Sequence, residues 1–136
     1  MGSLRDKLQV AQTVGLDSAI FIYHFEEHPR YKALCAEVFD LMEAGAIQVV
    51  TSTVTLIEVL VQPLTKGAQD LSSRYEQYLQ FGPSLTLRSL DPDLALRAAR
   101  LRAHYQIRTP DAVQLAAAIE FGARLFLTND DRLVID

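Results

Sequence analysis

Cysteine, long apolar runs and excess positive charge are all scarce in this 136-residue sequence. Its single cysteine, Cys35, excludes both an intramolecular disulfide and a metal site built from several thiolates. Cys35 follows Leu34 in an amphipathic pattern, and no motif links it to a histidine base. We therefore expect Cys35 to be a buried structural thiol rather than a nucleophile.

No segment is both apolar enough and long enough to cross a membrane. The longest uncharged stretch lies between Glu43 and Glu58, and it falls short of the roughly 20 residues that a spanning helix needs. Residues 1–14 contain charged side chains and lack the apolar centre of a secretory signal. We expect a cytoplasmic protein with no membrane partner.

The formal net charge of −4 argues against a protein that coats nucleic acid through a basic surface. It does not exclude a nuclease, because a metal site needs carboxylates and a local basic strip can still bind phosphate. Hydrophobic residues make up 49% of the chain, which is enough to bury a core at this length. No linker or repeat divides the sequence, so we expect one domain over residues 1–136.

Strand and helix patterns alternate along the sequence. Apolar runs predict strands at residues 13–16, 46–51, 85–87 and 124–128. Amphipathic spacing and capping residues predict helices at residues 18–25, 30–44, 53–62, 68–81, 91–105 and 109–121, with Pro63 ending the third of them. Such alternation is typical of an α/β three-layer sandwich, in which helices flank a central, mostly parallel sheet of four to five strands.

Four acidic residues occupy special positions in this pattern. Asp17 directly follows the first predicted strand and Asp130 follows the last, which places both at the edge where parallel sheets bind ligands. Asp111 lies in the first turn of the helix that leads into the last strand, and that helix begins at the same edge. Glu58 interrupts an apolar run and must find a partner or water.

Each acid also has an ordinary structural explanation. Asp17 and Asp111 can stabilise helix starts. Asp130 can form a turn, and Glu58 can face solvent. Taken together at one edge, however, they predict a cation site, because two carboxylates about 5 Å apart repel each other by roughly 3 kcal/mol at an effective dielectric of about 20. Hard divalent cations offset that repulsion and support attack of water on a phosphodiester.

Four segments carry a family resemblance, and they lie at residues 14–23, 52–58, 108–118 and 127–130. Their order and spacing resemble those of PIN-domain ribonucleases, most closely the toxin half of VapBC-type toxin–antitoxin pairs. The resemblance implies a PIN-like fold and an endoribonuclease that depends on Mg²⁺ or Mn²⁺. It implies that catalysis and metal binding belong to four acids: Asp17, Glu58, Asp111 and Asp130.

The same resemblance assigns supporting residues and partners. Ser18 and Thr128 are expected to orient the acids, and Thr128 also to orient water. RNA would be the substrate, an antitoxin peptide would occlude the site, and the chain would form a homodimer. Two departures stand out: Ala19 occupies a position where the family often has Asn, and residues 133–135 are the only candidate for the further short strand that family members usually add. Asp131 is an alternative to Asp130 as the fourth acid.

Basic residues near the third segment are candidates for binding RNA phosphates. Arg97 and Arg100 share one face of a predicted helix, and Arg108 lies close to them in sequence. An ordinary solvated helix face explains Arg97 and Arg100 equally well. No pair of histidines has the spacing of a metal site, so none is assigned to catalysis.

Other classes of α/β protein would require motifs that can be checked in this sequence. A phosphoacceptor signalling domain would need a lysine after the last strand, and a haloacid-dehalogenase phosphatase would need Asp-x-Asp after the first; neither motif is present. The serious alternative is a catalytically silent PIN-like module that binds RNA or protein. Four intact acids argue against it.

Overall fold

A computed structural model of the protein describes residues 3–129. Within that range the strands are β1 (Thr13–Leu16), β2 (Gln48–Ser52), β3 (Leu85–Arg88) and β4 (Leu125–Leu127). The helices are α1 (Leu4–Ala11), α2 (Ser18–Phe25), α3 (Lys32–Glu43), α4 (Thr53–Lys66), α5 (Gln69–Phe81), α6 (Pro92–His104) and α7 (Thr109–Phe121). None of these helices combines the length and apolar composition needed to cross a membrane.

The four strands form one parallel sheet in the order β3-β2-β1-β4. This arrangement confirms the predicted α/β fold with a parallel central sheet, because parallel neighbours require helical crossovers. β1 is central, and its Leu16 is in register with Leu127 of β4. The residue after β1 therefore lies beside the ends of both neighbouring strands.

The core lies in two layers, one on each face of the sheet. Val14 and Leu16 of β1 pack with α1, α2, α3 and α5, and Cys35 is buried in this layer as predicted. Val50 and Phe126 point to the other face and pack against α7. The alternation of side chains along each strand thus produces the three-layer arrangement.

Gly15 permits an unusually close approach of α7 to the centre of the sheet. A Cβ atom at this position would lie 2.6 Å from the Cβ of Ala118 and 2.8 Å from the ring of Phe126. Glycine is the residue that allows such close contact between a strand and a helix. The packing of α7 on β1 therefore depends on the absence of a side chain at Gly15.

Two helices differ from their prediction. Pro63 does not end α4, which continues to Lys66 and stops at Gly67 in the left-handed conformation. Pro63 is buried, so its packing in the fold offsets the backbone hydrogen bond that proline cannot make. We made no prediction for residues 4–11, which form helix α1 with only Leu8 buried.

Candidate active site

Asp17 is held at the carboxyl edge of the sheet by its neighbours on both sides. It caps α2, and its Oδ1 accepts a hydrogen bond from the backbone N–H of Ser18 at 2.7 Å. The hydroxyl of Thr128, which follows β4, donates to Oδ2 of Asp17 at 2.8 Å. Asp17 is therefore a helix cap and an edge carboxylate at once, and both of its oxygens are oriented.

Glu58 faces Asp17 rather than open solvent. The hydroxyl of Ser18 donates to Oε1 of Glu58 at 2.8 Å and lies 3.3 Å from Oδ1 of Asp17. One hydroxyl proton can serve one acceptor at a time, so the shorter contact is the better bond. Ser18 thus lies between the two carboxylates and links the start of α2 to α4.

Asp111 is buried in the first turn of α7 and forms a two-point ion pair with Arg108. Nε of Arg108 lies 3.0 Å from Oδ2 of Asp111, and Nη2 lies 3.2 Å from Oδ1. These bonds raise the pKa of Arg108, and the charges of Glu58 and Asp17 raise it further. All three carboxylates therefore act on one guanidinium group.

A buried amide, Gln114, ties the elements of the site together. Its Oε1 accepts from the backbone N–H and the hydroxyl of Ser52 at 3.1 and 2.8 Å, and its Nε2 donates to Thr55 at 2.6 Å. The Thr51 hydroxyl joins this network at 2.7 Å from the hydroxyl of Thr55, and it extends the network to β1 by donating to the carbonyl of Leu16 at 2.9 Å. The network connects β1, β2 and α4 to α7, one turn after Asp111.

Sequence reasoning missed Gln114. The signal was present, because a single amide lies within the apolar run of α7 and a buried amide must find partners.

The three candidate arginines lie in different surroundings. Arg97 pairs with Asp93 at 3.3 Å and with Glu120 at 3.4 Å. Glu120 is nine residues beyond Asp111 on the same helix, about 14 Å along its axis. Arg100 is exposed on α6. Of the three, Arg108 is the one that the structure places against a predicted site carboxylate, and RNA binding by any of them stays a prediction.

The fourth acid, Asp130, and its alternative Asp131 lie outside the described residues, as do residues 133–135, the candidates for a fifth strand. Within residues 3–129, no three His, Cys, Asp or Glu side chains are grouped closely enough to hold a metal ion. The predicted cluster is thus seen as three acids at one edge, of which Asp111 pairs with Arg108, and not as a compact ligand set. Their carboxylate oxygens are nevertheless the donors that Mg²⁺ and Mn²⁺ prefer.

Histidine contacts lie elsewhere in the structure. His24 stacks on Phe39 with ring centroids 3.9 Å apart, and burial lowers its pKa. His28 packs against Tyr23 and Tyr31. Both rings therefore have a packing explanation.

Comparison with known families identifies the protein family to which this fold belongs. A family model described as the PIN domain matches residues 14–134. This chain belongs to the PIN domain family. PIN domains are generally nucleases and typically use divalent metal ions.

Solved structures are similar in fold to this PIN domain. A toxin–antitoxin complex from Klebsiella pneumoniae is 23% identical, with a TM-score of 0.65 and 88% of each chain covered. VapBC2 from Rickettsia felis, bound to a DNA fragment from their promoter, is 18% identical, with a TM-score of 0.66 and 87% of each chain covered. Comparison with curated proteins gives no match.

Proposed function

We propose that this PIN-domain protein is an endoribonuclease that depends on Mg²⁺ or Mn²⁺ and acts as the toxin of a toxin–antitoxin pair. The observation that carries the proposal is that Ser18 joins Asp17 to Glu58 at the carboxyl edge of the sheet, and that Gln114, one turn after Asp111, bonds Ser52 at the same edge. Asp17 caps α2, Glu58 lies in α4 and Asp111 lies in α7, so the fold rather than local sequence brings them together.

In this proposal each residue at the edge has a distinct role. Asp17, Glu58 and Asp111, with Asp130 added from the family motif, would bind the cation. Thr128 keeps Oδ2 of Asp17 oriented, and Ser18 fixes the separation of Asp17 from Glu58. A bound divalent cation would lower the pKa of water and neutralise the leaving oxygen of a phosphodiester.

The proposed partners are an antitoxin and a second copy of the chain. Two similar structures are toxin–antitoxin assemblies, which supports an antitoxin partner. That its peptide covers the acidic edge is implied by the family resemblance. A homodimer follows from the family resemblance. Exposed apolar side chains on α4 at Ile57, Val61 and Leu64 support it, because such patches on soluble domains commonly mark interaction surfaces.

A silent PIN-like module that binds RNA or protein without cutting is the second candidate function. The ion pair between Arg108 and Asp111 favours it, because that pair already neutralises a carboxylate that a nuclease would need. The three acids argue for the nuclease, because a silent module has no need to hold Asp17 and Glu58 on either side of one hydroxyl.

Cleavage of single-stranded RNA with and without Mn²⁺ tests the proposal. We expect wild type to cleave only with Mn²⁺, and Asp17→Asn to lose at least about a hundredfold in rate, because one metal ligand is weakened. The variant should be no less stable thermally, since Asn also caps helices and the repulsion with Glu58 is relieved.

Asp91→Asn is the matched control. Asp91 caps α6 as Asp17 caps α2, but it pairs with Arg88 rather than with the candidate site. It should leave cleavage unchanged. Cleavage at the wild-type rate in Asp17→Asn would contradict the proposal, and RNA binding by wild type without cleavage under any metal condition would favour the silent module.

A further inference from the structure

The ion pair between Arg108 and Asp111 joins two side chains with very different exposure. The Asp111 side chain is 9% exposed, whereas that of Arg108 is 72% exposed. Among residues 3–129, both hydrogen bonds of this guanidinium go to Asp111. The carboxylate is therefore fixed in the protein, while the guanidinium lies mainly in solvent and has a single anchor.

The backbone around Arg108 does not depend on that side chain. The Arg108 carbonyl accepts the first helical bond of α7 from Ala112 at 2.9 Å. The preceding loop is held by Arg102, whose guanidinium donates to the carbonyl of Ile107 at 2.8 Å and to Thr109 at 2.9 Å. The Arg108 side chain can therefore turn away while the helix start stays in place.

Asp111 also has support that would remain without Arg108. It lies in the first turn of α7, where the helix dipole favours negative charge. The carboxylate could thus change its positive partner and still be stabilised by the helix. A divalent cation near Asp111 would lie at the same sheet edge as Asp17 and Glu58, because Gln114, one turn after Asp111, bonds Ser52 at the end of β2.

We propose that Arg108 is an exchangeable counter-ion: it competes with a divalent cation for Asp111 and, when displaced, binds a backbone phosphate of the RNA. This inference rests on the proposed nuclease function. The planar guanidinium makes two-point contacts with phosphate as readily as with carboxylate, so the group that leaves Asp111 is chemically suited to the substrate. Arrival of the cation would then expose a phosphate-binding group beside the acids.

Metal binding without RNA is the first test. Calorimetric titration of the full chain with Mn²⁺ should give an affinity about threefold to tenfold tighter for Arg108→Gln than for wild type, because the competing charge is gone. Arg124→Gln is the matched control, since exposed Arg124 precedes β4 at the opposite edge of the sheet. It should change the affinity by less than about twofold because solvent and salt screen its charge.

Steady-state cleavage of a single-stranded RNA oligonucleotide at saturating Mn²⁺ is the second test. Arg108→Gln should raise KM severalfold and Arg124→Gln should not, because the former lacks the phosphate contact. Arg108→Lys should fall between Arg108→Gln and wild type in both tests, since it keeps the charge but loses the two-point geometry.

The outcomes separate this inference from the function on which it rests. Wild type that binds Mn²⁺ and cleaves RNA, together with an Arg108→Gln variant of equal or weaker Mn²⁺ affinity, overturns the competition. Tighter Mn²⁺ binding with an unchanged KM overturns the phosphate contact. Wild type that neither binds Mn²⁺ nor cleaves RNA overturns the proposed function and this inference with it.

Discussion

The two ends of α7 each carry a carboxylate paired with arginine, and the two pairs are built differently. At the start of the helix, buried Asp111 meets one arginine that is mainly exposed. At the end, Glu120 is bound by Arg88 at two points and by Arg97 at 3.4 Å. The Arg88 side chain is only 20% exposed, and it also pairs with Asp91 and Asp93.

The helix dipole explains why the ends differ. It favours Asp111 at the start of the helix and opposes Glu120 at the end, so Glu120 depends more on its arginines than Asp111 does. The Glu120 network also joins β3 to α7, which is a structural task. An acid that is stabilised by its own helix and has a single exposed partner is therefore the better candidate for a site that exchanges ligands.

The largest expected effect is a difference in RNA cleavage between variants of Asp111 and variants of Glu120. Asp111→Asn should lower RNA cleavage by at least about a hundredfold, because the proposed site loses a negatively charged ligand. Glu120→Gln should retain cleavage, since Glu120 lies about 14 Å further along the helix. Steady-state rates with Mn²⁺ measure both variants. Equal losses of cleavage in Asp111→Asn and Glu120→Gln would contradict the proposed difference between the two ends of α7.

The next effect concerns the middle of the same helix. Gln114→Leu should reduce the free energy of unfolding by about 1–3 kcal/mol, because it leaves the backbone N–H and the hydroxyl of Ser52 without their buried acceptor. Denaturant unfolding measures this loss. Gln80→Leu, at an exposed amide on α5, is the control and should change little. A loss no larger than that of the control would show that the network is dispensable.

The melting temperature measured as a function of pH should show whether the ion pair between Glu120 and Arg88 stabilises the fold. Hydrogen bonds from Arg88 lower the pKa of Glu120 from its ordinary value of 4.5. The pair therefore stabilises the fold above that value, and this contribution is lost as the pH falls through the lowered pKa. Wild type should have a higher melting temperature than Glu120→Gln near neutral pH, and the difference should close as the pH falls through the lowered pKa of Glu120. A gap that does not change with pH would contradict this origin.

The smallest effect is expected at Arg108. Arg108→Gln should change the melting temperature by less than about 2 °C, because the side chain is exposed and the helix start has other support. Arg88→Gln should lower it more, since Arg88 connects three acids across two elements. Thermal unfolding without added metal compares them. A larger loss in Arg108→Gln would mean that its pair is structural after all.

Much of this arrangement could be predicted from the sequence. Apolar runs located the four strands, and a parallel sheet then placed Asp17 and the start of α7 at one edge. These inferences succeeded because strand order and helix direction depend on backbone connectivity. The extent of α4 beyond Pro63 could not be predicted, because it depends on tertiary burial of that residue.

Side-chain pairings in the candidate site were harder to predict. Ser18 was expected near the acids, but its place between Asp17 and Glu58 depends on how α2 meets α4. Arg108 was assigned only to RNA, because sequence spacing cannot tell whether an arginine turns toward its own helix or toward a ligand. Helical spacing grouped Arg97 with Arg100, yet distant Glu120 determined the surroundings of Arg97.

The close contact at Gly15 also affects how fast the partner of Asp111 can exchange. With a strand backbone against Ala118 and Phe126, α7 has little room to slide or rock on β1. Asp17 lies two residues after Gly15, directly after β1, so the carboxylates of Asp17 and Asp111 are held in one rigid frame. Any exchange at Asp111 would then require only rotation about the bonds of an exposed side chain, a picosecond-to-nanosecond event, rather than a slow collective rearrangement of helices.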